Sequence, residues 1–116
     1  MLERAHANRE LVVHNGEPKN YEIAAFIFDD VSSPQTLKVF GEVDASNCSS
    51  FQSALKKADP AKPFIVDLTS CTYMDSSGIA TLDDARKNHD FEVHLSTIAP
   101  LRRVFELTGT THRVLE

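Results

Sequence analysis

The sequence predicts a small α/β domain in which helices pack against a mixed β-sheet of about four to five strands. Runs with strand-like alternation, such as FEVHLSTI (91–98), take turns along the chain with segments of helical spacing, such as SSGIATLDDARKN (76–88). The first two strand-like runs are joined by a linker too short for a crossover helix, and helical segments separate the later ones. The sheet should therefore contain one antiparallel pair and a parallel portion.

The predicted elements follow the order β-β-α-β-α-β-α, with a short last strand left open. Turn residues and prolines separate them, because Gly, Pro, Asn, Asp and Ser interrupt regular structure. The predicted strands are YEIAAFIF (21–28), TLKVFGEVD (36–44), FIVDL (64–68) and FEVHLSTI (91–98), and HRVLE (112–116) could be a last short strand. The predicted helices are contained in ASNCSSFQSALKKAD (45–59), SSGIATLDDARKN (76–88) and PLRRVFELTG (100–109).

The first helix should begin with Ser46 or Asn47 as its N-cap, because either side chain can accept a hydrogen bond from a helix amide. Phe51, Leu55 and Ala58 then share one apolar face. The third helix is predicted to begin at Pro100 and to end at Gly109, because proline is favoured in the first turn of a helix and glycine just after its end.

Domain organisation follows from length and composition. At 116 residues the chain fits a single domain. Residues 1–20 are a polar N-terminal extension whose apolar patch LVV (11–13) could be an extra edge strand or part of a loose arm. Residues 21–116 are predicted to form the folded domain.

Composition and charge argue against several classes of function. The formal net charge of −5 and the lack of a basic stripe disfavour nucleic acid as a partner. No apolar run has the length of a membrane span, and the N-terminus lacks the apolar core of a signal peptide, so a cytoplasmic location is the expectation. Cys48, Cys71 and five scattered histidines lack metal-ligand spacing, so we expect no metal site and no cofactor.

The segment CTYMDSSG (71–78) is the part of the chain that most suggests a function. It follows an apolar strand, where the loops of parallel α/β units carry functional residues. Ser76 or Ser77 could cap the next helix, Gly78 would permit a tight turn, and Asp75 would complement the helix dipole. A purely structural cap is therefore one interpretation of the motif.

Three chemical interpretations of the same motif compete with the structural one. A serine nucleophile is disfavoured, because no histidine is placed to act as its base and the glycine spacing of a nucleophile elbow is missing. A phosphate-binding loop is disfavoured because one glycine without a following lysine does not form one. A phosphorylated serine fits better, since the amides of a helix N-terminus could accept its charge while a partner surface could not. The residues alone do not choose between the two serines.

Three motifs together resemble the STAS domain, in particular the bacterial anti-sigma factor antagonists. These are GEVD (41–44) at the end of the second strand, the apolar strand followed by YMDSSG (73–78), and the late helix P-LRRVFELTG (100–109). They occur in order over roughly residues 21–116. The resemblance implies a STAS-like fold and a protein-binding switch that is not an enzyme and has no catalytic residues.

The resemblance also implies specific roles for residues and partners. Ser76 corresponds to the serine that an anti-sigma factor phosphorylates, this partner being itself a serine kinase, and a PP2C-type phosphatase reverses the reaction. The unphosphorylated form would bind the anti-sigma factor and release the sigma factor, which regulates transcription. Asp44, Asp75, Ser76, Ser77 and Gly78 would form the partner-binding surface.

An alternative remains open within the same family. Some STAS proteins are adaptor subunits of ABC lipid transporters or parts of stress-sensing assemblies, in which Ser76 would only cap a helix. The second helix is about one turn shorter than the resemblance implies and carries Asp83 and Asp84, so a partner other than an anti-sigma factor stays an alternative. A redox-sensitive pair of Cys48 and Cys71 and a homodimer are also left open.

Overall fold

The computed structural model describes residues 10–14, 24–31, 33–96, 101–108 and 113–115. Within these ranges the chain forms strands and helices in the order β-β-β-α-β-α-β-α-β. The elements are β1 (Glu10–His14), β2 (Ala24–Asp29), β3 (Gln35–Val43), α1 (Cys48–Leu55), β4 (Phe64–Met74), α2 (Ser76–Arg86), β5 (Glu92–Ser96), α3 (Leu101–Thr108) and β6 (Arg113–Leu115).

The six strands form one mixed sheet in the order β1-β2-β3-β4-β5-β6. Among the described strands only β2 and β3 pair antiparallel, as expected for strands joined by a short linker. The other four neighbouring pairs are parallel, and helices α1, α2 and α3 connect the strands from β3 to β6. The predicted α/β class with a mixed sheet and packed helices is confirmed.

One large apolar cluster joins the three helices to one face of the sheet. Alternate residues of the strands reach this cluster, as the two-residue period of a strand requires. Phe51 of α1 stacks on Phe26 of β2 with ring centroids 5.7 Å apart, and Leu82 of α2 and Phe105 of α3 are fully buried. The opposite face of β2 and β3 has a smaller buried cluster of Ala25, Ile27 and Phe40.

Strand β4 is longer than the sequence predicts. It runs from Phe64 to Met74, whereas the prediction ended it at Leu68 and treated the following residues, Cys71 included, as a loop. Its register against β3 shifts twice, and each shift inserts one extra residue into β4. The buried residues of β4 accordingly change from a spacing of two to a spacing of three: Phe64, Val66, Leu68, Cys71 and Met74.

Gly41 lies at the second of these two irregularities. Its φ of 87° is in the left-handed region that favours glycine, and the register shifts between Gly41 and Glu42. The glycine of GEVD therefore has a backbone role in letting the end of β3 stay paired with β4.

The remaining predicted elements agree with the structure apart from their boundaries. The apolar patch of the N-terminal extension forms β1, an edge strand parallel to β2, which decides the question left open above, and HRVLE contains the short strand β6. The boundary at residue 21 stays a prediction. Helix α1 ends at Leu55, although Ala58 beyond it is still buried. Pro100 and Gly109, expected to delimit α3, lie outside the described residues.

Candidate functional site

The C-terminal ends of the neighbouring strands β3 and β4 lie at the same end of the sheet, where α1 and α2 begin. Val43 and Met74 are register partners, and the amide of Asp75 donates a 3.0 Å hydrogen bond to the carbonyl of Val43. Asp44 directly follows β3, and Asp75 directly follows β4. The structure therefore places the predicted Asp44 beside the serine motif, although it lies 31 positions before Asp75 in the sequence.

Asp75, and not either serine, is the N-cap of α2. Its carboxylate Oδ1 accepts hydrogen bonds from the amides of Ser77 at 2.9 Å and Gly78 at 3.2 Å. The predicted serine cap is wrong because the helix begins one residue earlier than a serine cap requires, with Ser76 as its first residue. An aspartate here satisfies two amides and places a negative charge at the positive end of the helix dipole.

Gly78 is required by close packing between α2 and the strand ends. A Cβ added at this position would lie 2.4 Å from Cγ of Met74 and 3.0 Å from Cγ1 of Val43. Such distances are well inside normal van der Waals contact, so a larger residue would push the start of α2 away from the sheet. Gly78 thus lets the start of α2 lie close against the strand ends, and this determines where Ser76 lies.

The two serines differ in exposure. Ser76 is exposed, and its hydroxyl forms no hydrogen bond with another described residue. Ser77 is half-buried, and its carbonyl accepts a 2.8 Å hydrogen bond from the Thr81 hydroxyl. A modifying enzyme could therefore reach Ser76 more easily than Ser77.

The helix amides are less available to a phosphate than the sequence suggested. Asp75 already accepts hydrogen bonds from the amides of Ser77 and Gly78. A phosphate on Ser76 would therefore stand next to a carboxylate, where like charges repel, instead of being held by those two amides.

A buried asparagine positions Asp44. Of the two predicted N-caps of α1, Ser46 and Asn47, the structure has Asn47 at the cap position. Its side chain, however, makes no cap hydrogen bond. Its Oδ1 accepts from the Asp44 amide and its Nδ2 donates to the Glu42 carbonyl, both at 2.9 Å. The Asp44 carboxylate in turn accepts from the amide and the hydroxyl of Ser46. This positioning role was missed, because asparagine is a common turn residue and its place in the sequence does not show which backbone groups its side chain binds.

Sequence reasoning also assigned no role to Tyr73. It is the register partner of Glu42, and 49% of its surface is exposed. Tyr73 lies within the segment CTYMDSSG, but a tyrosine there gives little signal by itself, since tyrosines are buried about as often as they are exposed.

The two cysteines are both free thiols in the structure. Cys71 lies in β4 and is buried below the site, where its Sγ donates to the carbonyl of Tyr73 at 3.3 Å. Burial raises the pKa of the Cys71 thiol from 9.0 to about 12, and the charge of Glu42 adds to this rise. Such a thiol is a poor nucleophile at neutral pH. Cys48 is half-buried at the start of α1.

Further groups bear on what the site could bind. Within the described ranges, no set of three or more His, Cys, Asp and Glu side chains is arranged to hold a metal ion. None of the helices in the described part of the chain is long and apolar enough to cross a membrane.

The fold and the paired strand ends define a STAS-type α/β domain, and comparison with known proteins supports this class. The family model described as "Mlab, STAS domain" matches residues 28–116. Because this match covers most of the chain, the protein belongs to the STAS family. A search of curated proteins finds no significant match.

Two solved structures share the fold. An anti-sigma factor antagonist from Mycobacterium paratuberculosis is 21% identical with a TM-score of 0.64, and the alignment covers 78% of this chain and 84% of that one. The anti-sigma factor antagonist SpoIIAA in its unphosphorylated form is 19% identical with a TM-score of 0.54, over 79% of this chain and 88% of the other. At these identities the likeness establishes the fold.

Proposed function

We propose that this protein is a phosphorylation-gated binding module that acts as an anti-sigma factor antagonist, with Ser76 as the phosphorylated residue. Its unphosphorylated form binds an anti-sigma factor, which is also the serine kinase, and so releases a sigma factor in the cytoplasm. A PP2C-type phosphatase restores the binding form. The protein itself catalyses no reaction.

The observation that carries this proposal is the position of Ser76 in a motif whose other members have structural roles. Asp75 caps the helix, Gly78 permits close packing, and Ser77 is half-buried. Ser76 is exposed at the first position of the helix and is not needed for any of these contacts. A serine that can be modified without unfolding the protein is what a reversible switch requires.

The same arrangement explains how a phosphate would switch binding off. The phosphate would add a charge of about −1.5 to −2 on the residue after Asp75, at the strand ends where Asp44 also lies. A partner that packs against the unmodified surface would have to desolvate this charge and would be displaced from the helix start. The helix would remain folded, because its cap does not depend on the Ser76 hydroxyl.

A pull-down with two forms of the protein tests the proposal. One form carries unmodified Ser76 and the other carries genetically encoded phosphoserine at the same position, and both are incubated with lysate of the native cells. We expect a serine-kinase anti-sigma factor to be retained by the unmodified form and lost from the phosphorylated form. Equal retention of that protein by both forms would contradict the proposal.

A second candidate function is a constitutive adaptor of the kind that serves ABC lipid transporters. The observation that favours it is the matching family model, which is described by the name Mlab. In that case Ser76 has no switching role, and the pull-down should retain a transporter ATPase with both forms of the protein.

A further inference from the structure

Tyr73 is an exposed aromatic residue at the same end of the sheet as Ser76. Among the described residues, the large hydrophobic side chains that are exposed are Tyr73 and Val31. Val31 follows β2 at the opposite end of the sheet. Exposed aromatic residues are enriched where partners dock, because a ring buries much surface and loses little side-chain entropy.

The second of the two register shifts in β4 turns the Tyr73 side chain away from the core. Each extra residue in a strand reverses which side chains face the core, so the first shift alone would bury Tyr73 and expose Met74. The second shift restores the original phase, which buries Met74 and exposes Tyr73. The register pairs show both shifts. The residue number in β4 exceeds that of its partner in β3 by 29 for Lys38 and Asp67, by 30 for Phe40 and Ser70, and by 31 for Glu42 and Tyr73.

Tyr73 and Ser76 lie on different sides of the strand end. The side chain of Met74 faces α2, where it contacts the position of Gly78. Because consecutive strand residues point to opposite faces, the ring of Tyr73 lies on the face of the sheet that carries no described helix. A phosphate on Ser76 would therefore change the helix side of the site and leave the Tyr73 side unchanged.

The surroundings of Tyr73 favour a cationic group on the partner. Its register partner Glu42 is exposed and lies close enough to raise the pKa of the buried Cys71 thiol. The segments 41–55 and 64–85, which contain the whole strand end and both helix starts, have no Lys or Arg. An arginine fits this pair best, since its planar guanidinium can stack on the ring while it binds the carboxylate.

We propose that Tyr73 and Glu42 form an anchor that receives an arginine side chain of the partner protein and contributes to binding whether or not Ser76 is phosphorylated. The anchor deepens the proposed function and rests on it, because it assumes that a partner docks at this end of the sheet. Specificity would then come from the Tyr73 side, and the switch from the Ser76 side.

Site-specific photo-crosslinking in the native cells tests the anchor. The chain carries p-benzoylphenylalanine at one position, either Tyr73, the exposed Ala80 one turn beyond Ser76 on α2, or Val31 as the control at the far end. We expect positions 73 and 80 to crosslink to the same protein, with the 73 crosslink mapping within a few residues of an arginine, and position 31 to give no crosslink to that protein.

The pattern of crosslinks separates failure of the anchor from failure of the proposed function. Crosslinks from position 80 without any from position 73 would overturn the anchor and leave docking at the switch side intact. Crosslinks from neither position would overturn both. A crosslink from position 73 to a segment without an arginine would overturn the chemistry that we assign to the partner.

Affinities of the captured partner then measure the anchor directly. We expect Tyr73→Ala to weaken binding about tenfold or more, and Tyr73→Phe, which keeps the ring, to stay within about threefold. Thr72→Ala, at the exposed neighbouring residue, is the matched control and should bind like the unsubstituted protein. Substituting the partner's arginine should weaken binding to the unsubstituted protein more than binding to Tyr73→Ala, in which only Glu42 still contacts the arginine. Binding of Tyr73→Ala within twofold of the unsubstituted protein would overturn the anchor.

Discussion

At the scale of single residues, Asp75 and Ser76 have separate tasks at the start of α2. The carboxylate of Asp75 holds the first amides of the helix, and the Ser76 hydroxyl remains exposed. A sequence containing Asp, Ser and Ser in a row does not reveal this division, because all three side chains are good N-caps. The outcome depends on where the helix begins, which is set by the pairing of β3 with β4.

Replacing the cap tests this division of tasks. Asp75→Ala should lower the free energy of unfolding by about 1 kcal/mol, because two helix amides lose their acceptor. Asp75→Asn should stay close to the original stability, since an asparagine oxygen can accept the same bonds. Urea unfolding measures both. An Asp75→Ala variant as stable as the unsubstituted protein would show that the carboxylate does not act as a cap.

Gly78 offers a second test at this scale. Alanine is the better helix former by about 1 kcal/mol, but its Cβ would overlap Met74 and crowd Val43. We expect Gly78→Ala to destabilise the protein by about 1–3 kcal/mol in urea unfolding. The loss should shrink when Met74→Ala is present as well. A stabilising Gly78→Ala would contradict the close packing.

At the scale of elements, β4 shows what the sequence could and could not predict. The apolar alternation of FIVDL identified its first half, and the short linker identified the antiparallel pairing of β2 with β3. The second half was missed because two inserted residues interrupt the alternation from which strands are recognised. The parallel pairing of β1 could not be predicted either, since periodicity does not specify a strand's partner.

The candidate site was predictable in its parts but not in its geometry. Asp44 and Ser76 were identified through the family resemblance, and the structure places both at adjoining strand ends. Asn47 and Tyr73 were missed, because their importance comes from contacts and exposure that arise only after β3 and β4 have paired.

Gly41 tests the irregular pairing of β4. An alanine held at a φ of 87° costs about 1–2 kcal/mol, so Gly41→Ala should lower the free energy of unfolding by that amount. The amide signal of Tyr73 in NMR spectra should also shift, because the second bulge lies beside it. Glu42→Ala, at the exposed neighbour, is the control and should change stability by no more than about 0.5 kcal/mol. Equal effects of the two substitutions would contradict a special role for Gly41.

At the scale of the whole molecule, the larger of the two described apolar clusters, the one beneath the helices, supports the site. The buried cluster joins the three helices to the sheet and includes Cys71, Met74 and Val43 directly below the strand ends. The surface above them is acidic, in agreement with the formal net charge of −5. An added phosphate would therefore introduce its charge on a surface that lies directly above the buried core.

The buried Cys71 thiol makes the free energy of unfolding depend on pH in the alkaline range. Its pKa is about 12 in the folded protein and 9.0 in the unfolded reference, so above about pH 9 the unfolded chain releases a proton that the folded protein keeps. The stabilisation from the neutral thiol is complete below pH 9 and is lost as the pH rises toward 12, by at most about 1.4 kcal/mol per pH unit.

Cys71→Ala removes this dependence and serves as the comparison. Urea unfolding of both proteins between pH 7 and 11 should give a constant difference in stability up to about pH 8. The difference should then change steadily in favour of Cys71→Ala as the pH rises. Two parallel pH profiles would show that the thiol is not buried in the folded state.

The most direct test of the account is the phosphorylation state of Ser76 in native cells. Intact-mass analysis, with peptide mapping of residues 64–86, should find a phosphate on Ser76 under at least one condition of growth, stress or starvation. The phosphate should be absent from Ser76→Ala and retained in Ser77→Ala. An unmodified peptide under all three conditions would contradict the switch and favour the constitutive adaptor.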